Sequence, residues 1–309
     1  MARGLLAALV FLLSACAPAA STPTATPTPS PSPTASPTPS ASPTPSPTPG
    51  LLPIFDAHLH YSRESWIAYP PEKIAAMFDQ LGIESGLVSS APDEGTFRLR
   101  AVLGEARVIP MLSPYRNGTD VFSWARDGSI VPYVESIYRQ GTHRGFGEFH
   151  LNAGQSGLPV VRTLLAFAQR ENLFLQPHAD ARAMAELLPL VTDQTVLWAH
   201  AGVTATPDQV EALLAKWPKL WVELSLRDDV APGGKLDTRW GALFAKYPDK
   251  FMVGTDTWTV GGTYTGNERW DAYPDLVRGI RTWLAQLPTE LAANIAHRNA
   301  ERFLAQLPR

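Results

Sequence analysis

Pro53-Ile54-Phe55-Asp56-Ala57-His58-Leu59-His60 is a short apolar run that ends in two histidines. Four to eight mostly apolar residues bounded by proline suit a buried strand. Successive side chains on a strand alternate, so His58 and His60 project to the same face. Comparable runs recur along the chain at Ser85–Ser90, Val108–Ser113, Gly145–Leu151, Leu173–His178, Val196–His200, Leu220–Leu224 and Phe251–Thr255. Between them the periodicity predicts helices over Pro71–Leu81, Thr96–Leu103, Ile130–Gln140, Pro159–Glu171, Ala181–Val191, Pro207–Trp217 and Trp240–Tyr247. A final helical pair is expected over Pro274–Gln286 and Glu290–Gln306. The helix at Pro207 has the clearest start: Thr206 as N-cap, with proline at the first helical position.

Eight strand–helix units without hairpin signals predict parallel strands joined by crossover helices. The expected architecture is a (β/α)8 TIM barrel, with a doubly wound open sheet as runner-up. No GxGxxG or phosphate-loop sequence supports a nucleotide-binding open sheet.

The rest of the 309 residues divides sharply. Arg3 is the sole charged side chain before Asp56, and Leu5–Leu13 is an apolar run of nine residues. That is too short to span a bilayer as a helix but suits a signal-peptide core. The run closes on Leu13-Ser14-Ala15-Cys16, which resembles a bacterial lipobox and implies lipidation of Cys16 after removal of the signal, 1–16. Residues 17–50 hold only Ala, Pro, Ser, Thr and one Gly, with 12 prolines, and read as a disordered polyproline-rich spacer. From Leu51 to Arg309 the composition is that of one globular domain. The expected location is therefore extracytoplasmic, in a bacterial cell envelope, tethered to a membrane. Cys16 is the single cysteine, so no intramolecular disulfide and no cysteine-based zinc site can form. With 26 basic against 29 acidic residues, the chain lacks the charge of a protein that binds long nucleic acids.

Polar residues converge at the predicted strand ends, where barrel enzymes place their sites. His58 and His60 end the first strand, Glu148 and His150 the fourth, His178 the fifth and His200 the sixth. Asp256 follows the eighth, where an unpartnered charge would be costly. Imidazoles and carboxylates suit Zn²⁺ and other first-row divalent ions. Arg227 after the seventh strand and Trp258 after the eighth are candidates for substrate contact, as is His150. Trp258, Tyr264 and Trp270 flank Gly261-Gly262 in a loop that reads either as a lid or as packing against the last helices.

In these motifs the chain resembles the amidohydrolase superfamily, and within it the amidohydrolase-related branch, with TatD-like hydrolases second. The resemblance rests on Phe55-Asp56-Ala57-His58-Leu59-His60, Gly147-Glu148, Pro177-His178, Ala199-His200-Ala201-Gly202, Val222-Glu223-Leu224-Ser225, Gly254-Thr255-Asp256 and Asn299-Ala300-Glu301-Arg302-Phe303-Leu304. It implies one or two divalent ions, zinc as first choice with Mn, Fe or Ni as alternatives. His58, His60 and Asp256 would hold one ion; His178 and His200 would hold a second or, as in one-metal members, bind the first and contact substrate; and Glu148 would bridge. Glu148 stands where many relatives carry a carboxylated lysine. The implied chemistry is hydrolysis by an activated water, with Asp256 as the proton acceptor. An ester, lactone or amide of a small molecule is the expected substrate. A phosphodiesterase or nuclease, a non-oxidative decarboxylase, and a non-enzymatic metal- or ligand-binding lipoprotein are the competing readings.

Overall fold

The computed structural model describes residues 50–258 and 268–307. Cys16, the rest of the signal, nearly all of the spacer, Gly261-Gly262 and Tyr264 lie outside the described residues. Eight strands form one sheet in sequential order, each parallel to the next: β1 Ile54–Leu59, β2 Ile83–Val88, β3 Val108–Leu112, β4 Gly145–His150, β5 Phe174–His178, β6 Val196–Trp198, β7 Leu220–Glu223 and β8 Phe251–Met252. The sheet curls until its edges meet. The Ala57 N–H donates to the Val253 carbonyl at 2.9 Å, and the Asp256 N–H to the His58 carbonyl at 2.8 Å. This is the expected (β/α)8 barrel.

The helices are α1 Pro71–Leu81, α2 Glu94–Leu103, α3 Ile130–Tyr138, α4 Pro159–Arg170, α5 Ala181–Leu187, α6 Pro207–Lys216, α7 Thr238–Lys246, α8 Glu268–Leu284, α9 Thr289–Ala293 and α10 Asn299–Ala305. α6 starts where its sequence signal predicts, with a reciprocal capping box between Thr206 and Gln209. None of the described helices is long and apolar enough to cross a membrane.

Three elements depart from the sequence reading. β6 stops at Trp198 because His200 and Ala201 turn left-handed, at φ 56° and 45°. α8 begins before Pro274, which lies in its interior. Its first turns are held by aromatic packing: Trp270 is buried against Tyr69 and Tyr273, with ring centroids 6.0 and 5.2 Å away. The expected helix over Glu290–Gln306 widens into a π turn at Asn294–Arg298, where the Ile295 carbonyl accepts the Val253 N–H.

Two apolar clusters build the molecule. The larger fills the space between strands and helices. The smaller is the barrel floor: Phe55, Leu87, Met111, Phe174, Trp221 and Met252, plugged from below by Phe303 and Leu307 at the chain's end. Above that floor the strand ends carry the polar side chains.

Candidate active site

β1 delivers His58 and His60 with their Nε2 atoms 3.1 Å apart. Each is oriented by what its other ring nitrogen touches. His58 Nδ1–H donates to Glu223 Oε2 on β7 at 2.8 Å, and His60 Nδ1–H donates to the Ser89 carbonyl at 2.7 Å. The left-handed turn after β6 aims His200 inward, and its Nδ1–H reaches Ser225 Oγ at 2.8 Å. Donation at Nδ1 directs the Nε2 of all three rings at the centre of the cage.

Two carboxylates face these three rings. Glu148 Oε2 lies 3.4 Å from His58 Nε2 and 3.3 Å from His60 Nε2, while Oε1 lies 3.0 Å from His200 Nε2 and 2.7 Å from His178 Nδ1. Asp256 Oδ1 is 3.3 Å from His60 Nε2, and Oδ2 is 3.9 Å from His200 Nε2. His58, His60, Glu148, His200 and Asp256 are all buried. His178 is half-buried, as is His150, which stacks on it.

Carboxylates buried this closely together need positive charge among them, as protons on the imidazoles or as a bound cation. The protonation preferences of the residues express the same demand. Burial alone would push the His58 imidazole down, yet Glu148, Glu223 and Asp256 together hold it well above its usual range. His60 is raised against its burial by Asp256 and Glu148. Burial would raise Glu148, but the imidazoles of His58 and His178 pull it well below the carboxylate range, and Asp256 is lowered by His58 and His60 in the same way. His150 moves oppositely, to about 4, because burial and its imidazole neighbours outweigh Glu148. A divalent ion fits this donor set: His58, His60 and Asp256 converge as one group, and His58, Glu148 and His200 as another.

The two remaining candidates divide. Trp258 stands beside the site, its ring edge-on to His60 at 5.1 Å. Arg227 has a different task from the substrate contact expected of it. Its guanidinium bonds Asp229 at 2.8 and 2.7 Å and the carbonyls of His200, Ala201 and Ala205 at 3.4, 2.9 and 2.7 Å. All five N–H groups are so engaged, over the face of Trp240, and none is left for a ligand. Arg227 instead pins the left-handed turn that carries His200. Trp270, also considered for a lid, belongs to the core.

Sequence reasoning assigned no role to Glu223, Ser225 and Ser89. Glu223 is fully buried and also accepts the His200 backbone N–H at 3.2 Å, so one carboxylate orients two of the imidazoles. A glutamate inside the apolar run Leu220–Leu224 was the available signal. Ser89 acts through its carbonyl, which no side-chain pattern reveals.

A parallel barrel whose strand ends present a His/Glu/Asp cage of this kind defines a metal-dependent hydrolase. The amidohydrolase family pattern matches residues 124–306, more than half the chain. The chain belongs to the amidohydrolase family. Solved structures repeat the fold at low identity. An apo protein from Agrobacterium tumefaciens is 18% identical, with 85% of this chain and 100% of that one covered at a TM-score of 0.53. An uncharacterized TIM-barrel protein from Bordetella bronchiseptica is 15% identical, with 82% and 99% covered at 0.54. The phosphotriesterase homology protein from Escherichia coli, complexed with phosphate in its active site, is 11% identical, with 82% and 98% covered at 0.52. No curated protein matches the chain.

Proposed function

We propose that His58, His60, Glu148, His178, His200 and Asp256 serve one or two divalent ions, zinc first, and that the site hydrolyses a C–O or C–N bond of a small ester, lactone or amide. The observation that carries this reading is the convergence of three Nδ1-anchored imidazoles and two carboxylates on one buried centre. A bound divalent ion supplies Lewis acidity and lowers the pKa of water from 15.7 toward about 7. Asp256 is the proton acceptor: its carboxylate faces the cage from the strand opposite Glu148. As water oxygen bonds to the carbonyl carbon, one of its protons passes to Asp256 and then to the departing oxygen or nitrogen as the scissile bond breaks. Glu223, Ser89 and Ser225 hold the imidazoles in the tautomer that keeps Nε2 available. Trp258 offers an apolar wall at the mouth for the substrate's body.

Elemental analysis of the full chain tests the reading, with His58→Ala and Asp256→Asn beside it. Near-stoichiometric transition metal that falls in His58→Ala is expected. A panel of esters, lactones, amides and phosphodiesters then identifies the bond. Absence of metal after reconstitution with Zn or Mn would sink the hydrolytic mechanism.

The anchor is a second part of the proposal: Cys16 is lipidated and the 17–50 spacer tethers the barrel outside the cytoplasm. It is supported by the position of the chain's single cysteine at the end of Leu13-Ser14-Ala15-Cys16. Cys16→Ala should move the protein from the membrane to the soluble fraction. An unchanged distribution would refute the anchor.

A further inference from the structure

Among the proposed ligands of the cage, two stand in left-handed backbone: His200 at φ 56° and Asp256 at φ 50°. A residue with a Cβ is strained there, so surrounding contacts must hold it. At both turns an arginine from a later segment bonds two successive carbonyls. Arg227 Nη1 takes those of His200 and Ala201. Arg269, in the first turn of α8, takes those of Thr255 and Asp256: its Nη2–H donates to the first, and its Nε–H to the second at 2.8 Å. These two carbonyls belong to the peptide planes that meet at the Asp256 Cα. A rigid planar fork across them therefore sets both φ and ψ of Asp256. The start of α8 is itself held in place. Trp270 is buried, and Tyr273 Oη–H donates to Asp56 Oδ2 at 3.0 Å. The same Asp56 carboxylate accepts the Thr255 N–H at 3.1 Å and its Oγ1–H at 2.8 Å. α8 thus grips Thr255-Asp256 at two points, one through Arg269 and one through Tyr273 and Asp56.

We propose that Arg269 is the positioning residue for Asp256, holding the left-handed backbone from which its carboxylate enters the cage. The proposal rests on the metal reading of that cage and adds to it a residue that bonds the backbone alone. Asp256 Oδ1 lies 3.3 Å from His60 Nε2 and accepts the Trp258 N–H at 3.2 Å. Those contacts need the Asp256 Cβ aimed at the cage, and its direction follows from φ and ψ. Without the fork, Asp256 is free to relax to right-handed or extended backbone, which turns the carboxylate away from His60. Partners that orient a metal ligand from behind are worth about 10- to 100-fold in metal affinity. Lysine is no substitute at this position, because a point charge on a flexible stem does not fix the angle between two peptide planes.

The test is a Co²⁺ titration of the chelator-treated full chain against a competing chelator, read by visible absorption. Arg269→Gln and Arg269→Lys should each bind Co²⁺ about 10- to 100-fold more weakly than wild type. Their absorption bands should shift toward that of Asp256→Asn, as the carboxylate leaves the ion. In the Asp256→Asn background, adding Arg269→Gln should change affinity by less than about twofold, since the carboxylate it positions is already gone. A merely structural role predicts the opposite: additive losses and a wild-type band. Circular dichroism and melting curves on every variant separate a misplaced ligand from a lost fold, and the lysine replacement stands in if the glutamine one does not fold. Wild-type affinity and spectrum in the Arg269 variants, with Co²⁺ still lost in His58→Ala, would overturn this proposal alone. So would a full loss on adding Arg269→Gln to Asp256→Asn. A wild type that binds no Co²⁺ would sink the proposed function with it.

Discussion

Glu223 makes no contact with the centre of the cage, yet it holds His58 through Nδ1 and His200 through its backbone N–H. Carboxylates that orient ligand imidazoles in this way are typically worth 10- to 100-fold in metal affinity. Glu223→Gln keeps the shape but removes the charge, and should weaken metal binding by about that factor. A chelator-competition titration measures it, and unaltered affinity would mean that the imidazoles are oriented by packing alone. Asp56 shows how burial makes a pH-dependent group. Burial pushes its carboxyl up to about 6, against the opposing bonds of Thr255, the His58 N–H and Tyr273. Folded protein therefore keeps a proton that the unfolded chain has released. The resulting stability is complete below the ordinary value of 3.8 and is lost as pH rises through about 6. In chelator-treated protein, melting temperature should fall between about pH 4 and 6, and Asp56→Asn should flatten that decline. A parallel decline in Asp56→Asn would assign it to other groups.

Strands and turns bring these side chains into range by close backbone approach. Gly254, just past β8, runs under the cage. A Cβ there would lie 2.2 Å from Glu223 Oε1 and 2.9 Å from His58 Cβ. Gly254→Ala should displace Glu223 and reduce metal content at least as much as Glu223→Gln does, while the barrel still folds. Metal analysis beside circular dichroism checks both halves of that expectation. The turn after β6 carries a different strain. His200, Ala201 and Val203 are non-glycine residues at φ 56°, 45° and 56°, conformations that cost about 1–3 kcal/mol each. Buried Arg227, paired with the exposed Asp229 and stacked on Trp240, offsets that cost by capping the turn's carbonyls.

The barrel as a whole separates stability from chemistry along its axis. Phe303 plugs the floor, edge-on to Phe174 and Trp221 with centroids 4.7 and 5.4 Å away. Phe303→Ala should cost about 3–5 kcal/mol through lost burial and the cavity left behind. Chemical denaturation should show that loss, and metal stoichiometry in native buffer should remain unchanged. A loss of metal without a loss of stability would contradict this division of the molecule.

The sequence by itself determined the alternation of strands and helices, and through it the barrel. It also brought out the residues that line the mouth. Apolar runs ending in His60, Glu148, His178 and His200 are local patterns, and a parallel barrel gathers strand ends at one face. What only the tertiary structure decided are contacts between distant segments. Arg227 looked available for a substrate because it follows the seventh strand at the barrel mouth, whereas Asp229 and carbonyls of the preceding loop occupy its donors. Glu223 looked like a strand end, and it meets His58 from the far side of the chain. The pairing of His150 with His178 follows from strand register, which depends on how neighbouring strands pack and is invisible in either strand alone. Local propensity chooses the elements, and long-range packing chooses which polar atoms face one another.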